Sequence, residues 1–466
     1  ARICSPCLYC FFDELDFTAM TIPVVSVSAP HQAPAAGASL NQWLEFIEKL
    51  HDKPIDMGLE RMQTMIARMG IKFECPVVTV AGTNGKGSTC AVMERIWREA
   101  GFRTAMHTSP HLIRFNERAL LNGQEVSDEA LIAAFGEVES ARGGMTLSYF
   151  EYTGLAVLKL FQNAHPDVVI LEIGLGGRLD AMNAVDPDVS IVAAIGIDHT
   201  AFLGNTREAI AVEKAHIYRS GRPAICSDPN PPSTLVGYAA EIGAKLLLIN
   251  RDFSVTEHPD GSFQFCMGDL SWQLPRPALK GENQYRNAAG ALAAIVSLLN
   301  RLPVTEAAAA AGLSQVRITA RFEEITTQPC TTLLDVGHNP QAAGVLAENL
   351  HASRKPGEKT LAVFGMLEDK DRAQVVRLTV PEIDRWFIAG LPGPRGGSAE
   401  ALKMKMLEAG VEERAIESFP AIADALYAAR LSAEDEPAAP VRIIIFGSFV
   451  TVGEALEVFA KEGLRR

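Results

Sequence analysis

Residues 76–88, Pro76-Val77-Val78-Thr79-Val80-Ala81-Gly82-Thr83-Asn84-Gly85-Lys86-Gly87-Ser88, carry three instructions in one stretch. Pro76 to Val80 is a short β-branched run and reads as a buried strand. Gly82 to Ser88 is a glycine-rich loop, and Thr89 to Ala100 carries helical spacing of Val92, Ile96 and Trp97. Strand, glycine loop and helix together make a phosphate cradle. Glycine lets backbone N–H groups turn toward an anion, and the helix N-terminus adds its dipole. Lys86 would reach the outer phosphates and the Ser88 hydroxyl would ligate Mg²⁺. The strict P-loop pattern fails at two places, Val80 for Gly and Gly87 for Ser or Thr, so a structural glycine turn stays open on pattern alone.

Composition narrows the rest. The chain has 466 residues, 48% hydrophobic and 21% charged, which suits two or three globular domains. A net charge of −13 argues against nucleic-acid binding, so anionic substrates need local cations. No apolar run reaches the ~18 residues of a membrane helix. Eight cysteines without a disulfide framework fit a reducing, cytoplasmic setting. Cys4, Cys7 and Cys10 form a C-x-x-C-x-x-C run with no matching set nearby, and a metal site there is not expected. Residues 1–39 are expected to be a disordered or non-native leader, with Met20 as a natural start.

Further along, Thr104 to Thr108 reads as a strand leading into the polar loop Ser109-Pro110-His111-Leu112-Ile113-Arg114-Phe115-Asn116-Glu117-Arg118. Asp167 to Leu175 is a near-continuous apolar strand interrupted by Glu172. A carboxylate there is costly unless paired or metal-bound, and at a strand's C-terminal end it points at the ligand crevice. Glu172 is therefore expected to hold Mg²⁺. Val189 to Ile197 reads as another buried strand ending at Asp198-His199; a lone histidine is more often a structural hydrogen-bonder than a ligand. Strands over Thr331 to Val336, Thr360 to Phe364, Trp386 to Ala389 and Val441 to Phe446, separated by helical stretches, give βα alternation. The expected architecture is α/β: a P-loop ATPase-type parallel-sheet domain over 40–316, then a smaller Rossmann-like domain over 317–466.

In order along the chain, GTNGKGS (82–88), SPHLIRFNER (109–118), LSYFEYT (147–153), EIGLGGRLDAMN (172–183), the segment from Ile195 to Ile217 with its Asp198-His199 and Lys214, and DVGHNP (335–340) resemble the Mur ligase superfamily. The form is that of the bifunctional bacterial dihydrofolate synthase/folylpolyglutamate synthases. HDKPIDMGLER (51–61), FGMLEDKD (364–371) and FGSFVTV (446–452) add to the resemblance, with Met57, Met182 and Ala320 departing from the usual Leu, Thr and Gly.

The resemblance implies ATP on Gly82, Thr83, Asn84, Gly85, Lys86, Gly87 and Ser88, with Asn287 against the adenine. Arg321, Asp335 and His338 would reach the nucleotide from the second domain. It implies two Mg²⁺ ions, one on Ser88 and Glu172 with Ser109 nearby, the other on His199 and a carbamylated Lys214. Lys86, His199, Lys214 and Arg321 would carry the catalysis. Met57, Ser148, Phe150, Asp180 and Ala181 would meet the pterin, and Ser448 the incoming glutamate. The substrates implied are ATP, dihydropteroate, reduced folates and L-glutamate, handled by a monomer without nucleic acid or membrane. A monofunctional folylpolyglutamate synthase, a cell-wall ligase and a non-catalytic nucleotide-binding regulator are the rival readings. The LSYFEYT segment disfavours the first, and the short N-terminal stretch disfavours the second. The joint presence of Lys86, Glu172, His199 and Lys214 disfavours the third.

Overall fold

The computed structural model describes residues 32–53, 56–327, 329–435 and 440–464. Residues 1–31, with most of the expected leader and the three N-terminal cysteines, lie outside them.

Val77–Ala81 is the hub of an eight-stranded sheet. In spatial order its strands are Gln124–Glu125, Ala119–Leu121, Thr104–His107, Val168–Glu172, Val77–Ala81, Val189–Val192, Pro223–Cys226 and Lys245–Leu248. The last six run parallel, and the two outermost at the other edge are antiparallel. Burial on both faces explains why the central strands are mostly apolar. Val77 and Ala81 face one core and Val78 and Val80 the other; Val169 and Leu171 oppose Val168 and Ile170 in the same way. The helix Lys86–Glu99 covers one face with Cys90, Met93, Ile96 and Trp97. Tyr149–Ala164 covers the other with Tyr152, Leu155, Leu158 and Phe161. Ahead of the first helix, Leu40–Glu48, Ala33 and Ala38 already pack on this second core. The irregular segment 251–278 forms a small antiparallel sheet of Phe253–Glu257, Phe263–Met267 and Leu270–Leu274.

A second, six-stranded sheet follows, in the order Arg321–Thr326, Thr331–Asp335, Val441–Phe446, Lys359–Phe364, Arg385–Ala389, Ile416–Phe419. All neighbours are parallel except the first pair. Ile443 and Ile445 enter one core, Ile444 and Phe446 the other. Both sheets turn the C-terminal ends of their parallel strands toward a shared cleft, where ligands bind in open α/β folds.

The expectation for the strand from Val189 changes. The strand from Val189 stops at Val192 rather than Ile197, because Ala194 leaves the ladder to bridge Asn84 of the glycine loop. His199 therefore sits beyond the strand, in left-handed conformation (φ 51°), as the N-cap of Thr200–Leu203. The helix Asn283–Ser297 carries Asn287 in its second turn. Ala320 takes the backbone form of the glycine it replaces, φ 60°, with its methyl group buried.

Candidate active site

The glycine loop leaves Val77–Ala81 and enters Lys86–Glu99 through Gly85 at φ 84°. A β-carbon there would lie 2.4 Å from Asn287 Oδ1, so glycine is what lets the Asn287 carboxamide lie against the loop. Lys86 Nζ donates to the carbonyls of Gly82 (3.1 Å) and Thr83 (3.3 Å). Lys214 Nζ, from the helix Arg207–Ala215, donates to the same Gly82 carbonyl at 3.0 Å. Lys214 is 4% exposed, so it is no helix-surface lysine; Glu213 beside it pairs instead with Arg178. Burial and then the charge of Lys86 bring the Lys214 ammonium down to about 7.

Glu172 ends its strand buried, accepting the Ser109 amide at 3.2 Å. Burial raises its pKa against the pull of Lys86 and Arg321. Burial and Lys370 lower His199 to about 4, so the imidazole is neutral and keeps a lone pair for an electrophile.

One cavity of ≈ 1010 Å³ gathers these groups. Gly82, Thr83, Asn84, Gly85, Lys86, Gly87, Ser88, Ser109, Glu172, His199, Lys214 and Asn287 line it from the first sheet. Arg321, Asp335, His338 and Ser448 line it from the second. Arg321 lies over the Phe449 ring at 5.5 Å. Asp335 accepts the amides of Phe322 (2.9 Å) and Gly337 (2.7 Å), fixing the turn that presents Arg321. Ser448 caps the helix Phe449–Lys461 through the Thr451 amide at 3.0 Å.

Met57, Ser148, Phe150, Asp180 and Ala181 are not part of this lining; Met57, Phe150 and Asp180 lie against the loop at Gly174 and Gly176. The Phe150 ring lies against Gly174 and 6.0 Å from the His107 ring, and Met57 approaches Gly176. Asp180 is buried and accepts the amides of Leu175 (2.9 Å) and Met182 (3.0 Å), which pins the glycine loop. Burial pushes its carboxyl up to about 6. Ala181 is core. The Ser148 hydroxyl is engaged in a capping box with Glu151.

Sequence patterning assigned no role to Lys370, Asn339 or Gln341, which help to join the two halves. Asp198 accepts Lys370 Nζ at 2.6 Å and Asn339 Nδ2 at 3.1 Å, and its carboxylate lies 3.5 Å from His338 Nε2. Asn84 donates to Asn339 (3.1 Å) and Gln341 (2.7 Å). Lys370 lies inside the FGMLEDKD motif, and that motif was the one signal available.

Comparison with known proteins fits this geometry. Residues 80–295 match the Mur ligase middle domain, and residues 320–449 match the Mur ligase glutamate ligase domain. The dihydrofolate synthase/folylpolyglutamate synthase of Escherichia coli is 43% identical over 430 residues, 92% of this chain and 97% of that one. The chain belongs to the Mur ligase family. Within the family, the Haemophilus influenzae dihydrofolate synthase/folylpolyglutamate synthase is 37% identical, over 90% of this chain and 97% of its own. The solved structure of E. coli FolC with DHPP and ADP superposes with a TM-score of 0.85 at 41% identity, covering 92% of this chain and all of that one. A bifunctional folylpolyglutamate synthase/dihydrofolate synthase with Mn, AMPPNP and L-glutamate bound gives 0.83 at 37% identity, with coverage of 92% and 100%. Members of this family with these names are ATP-dependent, amide-forming ligases, and this chain shares their mixed α/β architecture.

Proposed function

We propose that this chain joins L-glutamate to dihydropteroate, making dihydrofolate, and to the glutamate tail of reduced folates, making folylpolyglutamates, at the expense of ATP. The observation that carries the reading is the single cavity in which the phosphate loop faces Arg321, Asp335, His338 and Ser448 from the second sheet. The bound DHPP, ADP, AMPPNP and L-glutamate named for the related structures support the same substrates.

ATP would lie with its phosphates on Gly82 to Ser88 and its base toward Asn287. The acceptor carboxylate attacks the γ-phosphorus, the bond to the β–γ bridging oxygen breaks, and ADP and an acyl phosphate result. Lys86 and Arg321 would hold the charge that spreads over the transferring group, so this step is positioning and neutralisation. The glutamate amine, held near Ser448, then attacks the acyl carbon; phosphate leaves with the electron pair and the amine proton passes to solvent. Apposition of the two sheets keeps water from the acyl phosphate.

The residues present fit divalent cations. Among the described residues no three His, Cys, Asp or Glu side chains converge, so the ligand sets must include other groups. Ser88 and Glu172, with Ser109 alongside, would hold one Mg²⁺, and His199 with a carbamylated Lys214 a second. Bound there, the ions would supply charge neutralisation for the phosphates. Glu172 is buried and pushed upward, a carboxylate short of positive charge. Lys214, near 7, carries the neutral amine that adds CO₂. Every group named comes from one chain, so a monomer suffices. No described helix is long and apolar enough to cross a membrane, and we place the enzyme in the cytoplasm as part of the same proposal.

The test is phosphate release from ATP with Mg²⁺ and L-glutamate, with dihydropteroate or a reduced folate as acceptor. Release with both is expected. Release with the folate alone would overturn the pterin assignment, and release with neither would overturn the ligase.

A further inference from the structure

The loop 109–118 ends in Arg118, a cation that forms no ion pair among the described residues. Arg118 lines the cavity beside Ser109, Pro110, His111 and Glu172. Its Nε donates to His111 Nδ1 at 2.8 Å, and its guanidinium lies 5.4 Å from the centre of the Phe115 ring and 5.8 Å from that of Tyr149. Neither Nη makes a hydrogen bond or ion pair with any described residue. The nearby carboxylates are engaged elsewhere. Glu117 accepts the amides of Leu112 (2.7 Å), Ile113 (2.8 Å) and Arg114 (2.8 Å), and Glu172 accepts that of Ser109. A guanidinium only donates, so His111 Nδ1 must present its lone pair and the ring proton sits on Nε2. Arg118 Nη and His111 Nε2–H are thus donors without a protein partner among the described residues, on half-buried side chains that line the cavity and are free to meet an anion.

Position selects the anion. Lys86, Arg321 and Arg118 share the cavity wall with Glu172, and each acts on its carboxylate through space. Arg118 also rests on Tyr149, the residue before Phe150, whose ring is the proposed pterin platform. Arg118 thus joins the cavity of the phosphate loop to the helix that carries Phe150. A pterin whose carboxylate must reach the γ-phosphate has to place that carboxylate there. A planar fork braced by two aromatic rings suits a carboxylate held bidentately.

We propose that Arg118, with His111 Nε2–H beside it, binds the reacting carboxylate of the acceptor, the same group in dihydropteroate and at the end of a folate tail. The assignment rests on the ligase reading above. It makes Arg118 a binding residue for both acceptors rather than a discriminator between them.

The experiment is equilibrium binding to the full chain without ATP or glutamate, followed by fluorescence quenching. Dihydropteroate is compared with a dihydropterin that lacks the benzoate carboxylate. Arg118→Ala should weaken dihydropteroate about 10- to 100-fold, the range for a hydrogen-bonded charge, and leave the carboxylate-free pterin unchanged. Arg118→Lys, which keeps the charge and loses the fork, should fall between; it carries the test if the alanine variant does not fold. In turnover, KM should rise by similar factors for dihydropteroate and for a reduced folate. Unchanged dihydropteroate binding, equal weakening of both pterins, or an effect on the folate alone would each overturn the assignment. Wild-type protein that binds neither ligand would overturn the ligase reading and the arginine assignment with it.

Discussion

Lys86 and Lys214 converge on one carbonyl, that of Gly82, at 3.1 and 3.0 Å. Burial first, and then repulsion from Lys86, bring the Lys214 ammonium down to about 7. The neutral amine it releases is the nucleophile for CO₂. Carbamylation would turn a repelling cation into an anion beside Lys86. Intact mass measured in bicarbonate buffer should show one CO₂ adduct, lost on acidification and absent in Lys214→Ala. That variant should also lose at least about 100-fold in turnover if the carbamate orders the cation site. An adduct that survives the substitution would place the modification elsewhere. Lys86 tests the other half of the pair. Its Nζ bonds only to its own loop, so Lys86→Ala should leave the melting temperature nearly unchanged. Phosphate release should fall about 10²- to 10³-fold, the scale for removing one preorganised charge from a transition state.

The helix Tyr149–Ala164 shows how one residue can serve structure where a motif suggests ligand contact. Ser148 donates its hydroxyl to Glu151 Oε2 at 2.8 Å, and Glu151 in turn pairs with Arg61 at 3.0 Å. Ser148→Ala removes the cap and should cost about 1 kcal/mol in denaturant unfolding before any substrate is added. A variant as stable as wild type would leave substrate contact as its whole role. The long parallel strands were legible in the sequence because burial on both faces forces unbroken Val/Ile/Leu runs, and Glu172 stood out against one of them. The edge strands were not. Ala119–Leu121, Gln124–Glu125 and Ile416–Phe419 are short and partly exposed, so no apolar run marks them. The phosphate loop could be read because backbone geometry restricts its residues locally; the turn before Arg321 could not, because Ala320 stands where a glycine would have marked it. Arg118 and Lys370 sit in quoted motifs, yet what they lack or meet depends on elements far along the chain.

An acidic molecule, net −13, folds around a cavity lined by Lys86, Arg118, Lys214, Arg321 and Lys370. Cations gathered in the cleft of an acidic chain can focus anionic substrates there. The two sheets keep that cleft shut through very few polar groups. Asp198 holds Lys370 across 172 residues of sequence, both side chains under 10% exposed, and Gly453 packs against the Leu112 carbonyl so closely that a β-carbon would lie 2.4 Å from it. Desolvated ion pairs of this kind add modest net stability, but removing one partner strands the other charge. Asp198→Asn should therefore loosen the apposition of the sheets more than it loosens either sheet. Each core is complete without the pair, since Asp198 and Lys370 belong to none of them. Turnover should fall at least about 10-fold, because a displacement near 1 Å at the reacting groups is already worth more than that. Small-angle scattering should report a larger radius of gyration in the variant, reduced again when ATP and acceptor are added. Lys370→Met should produce the same opening. The double variant should be no worse than either single one, because after the first substitution the latch is already gone. Additive losses, or full turnover with an unchanged radius, would mean that the sheets are held by other contacts.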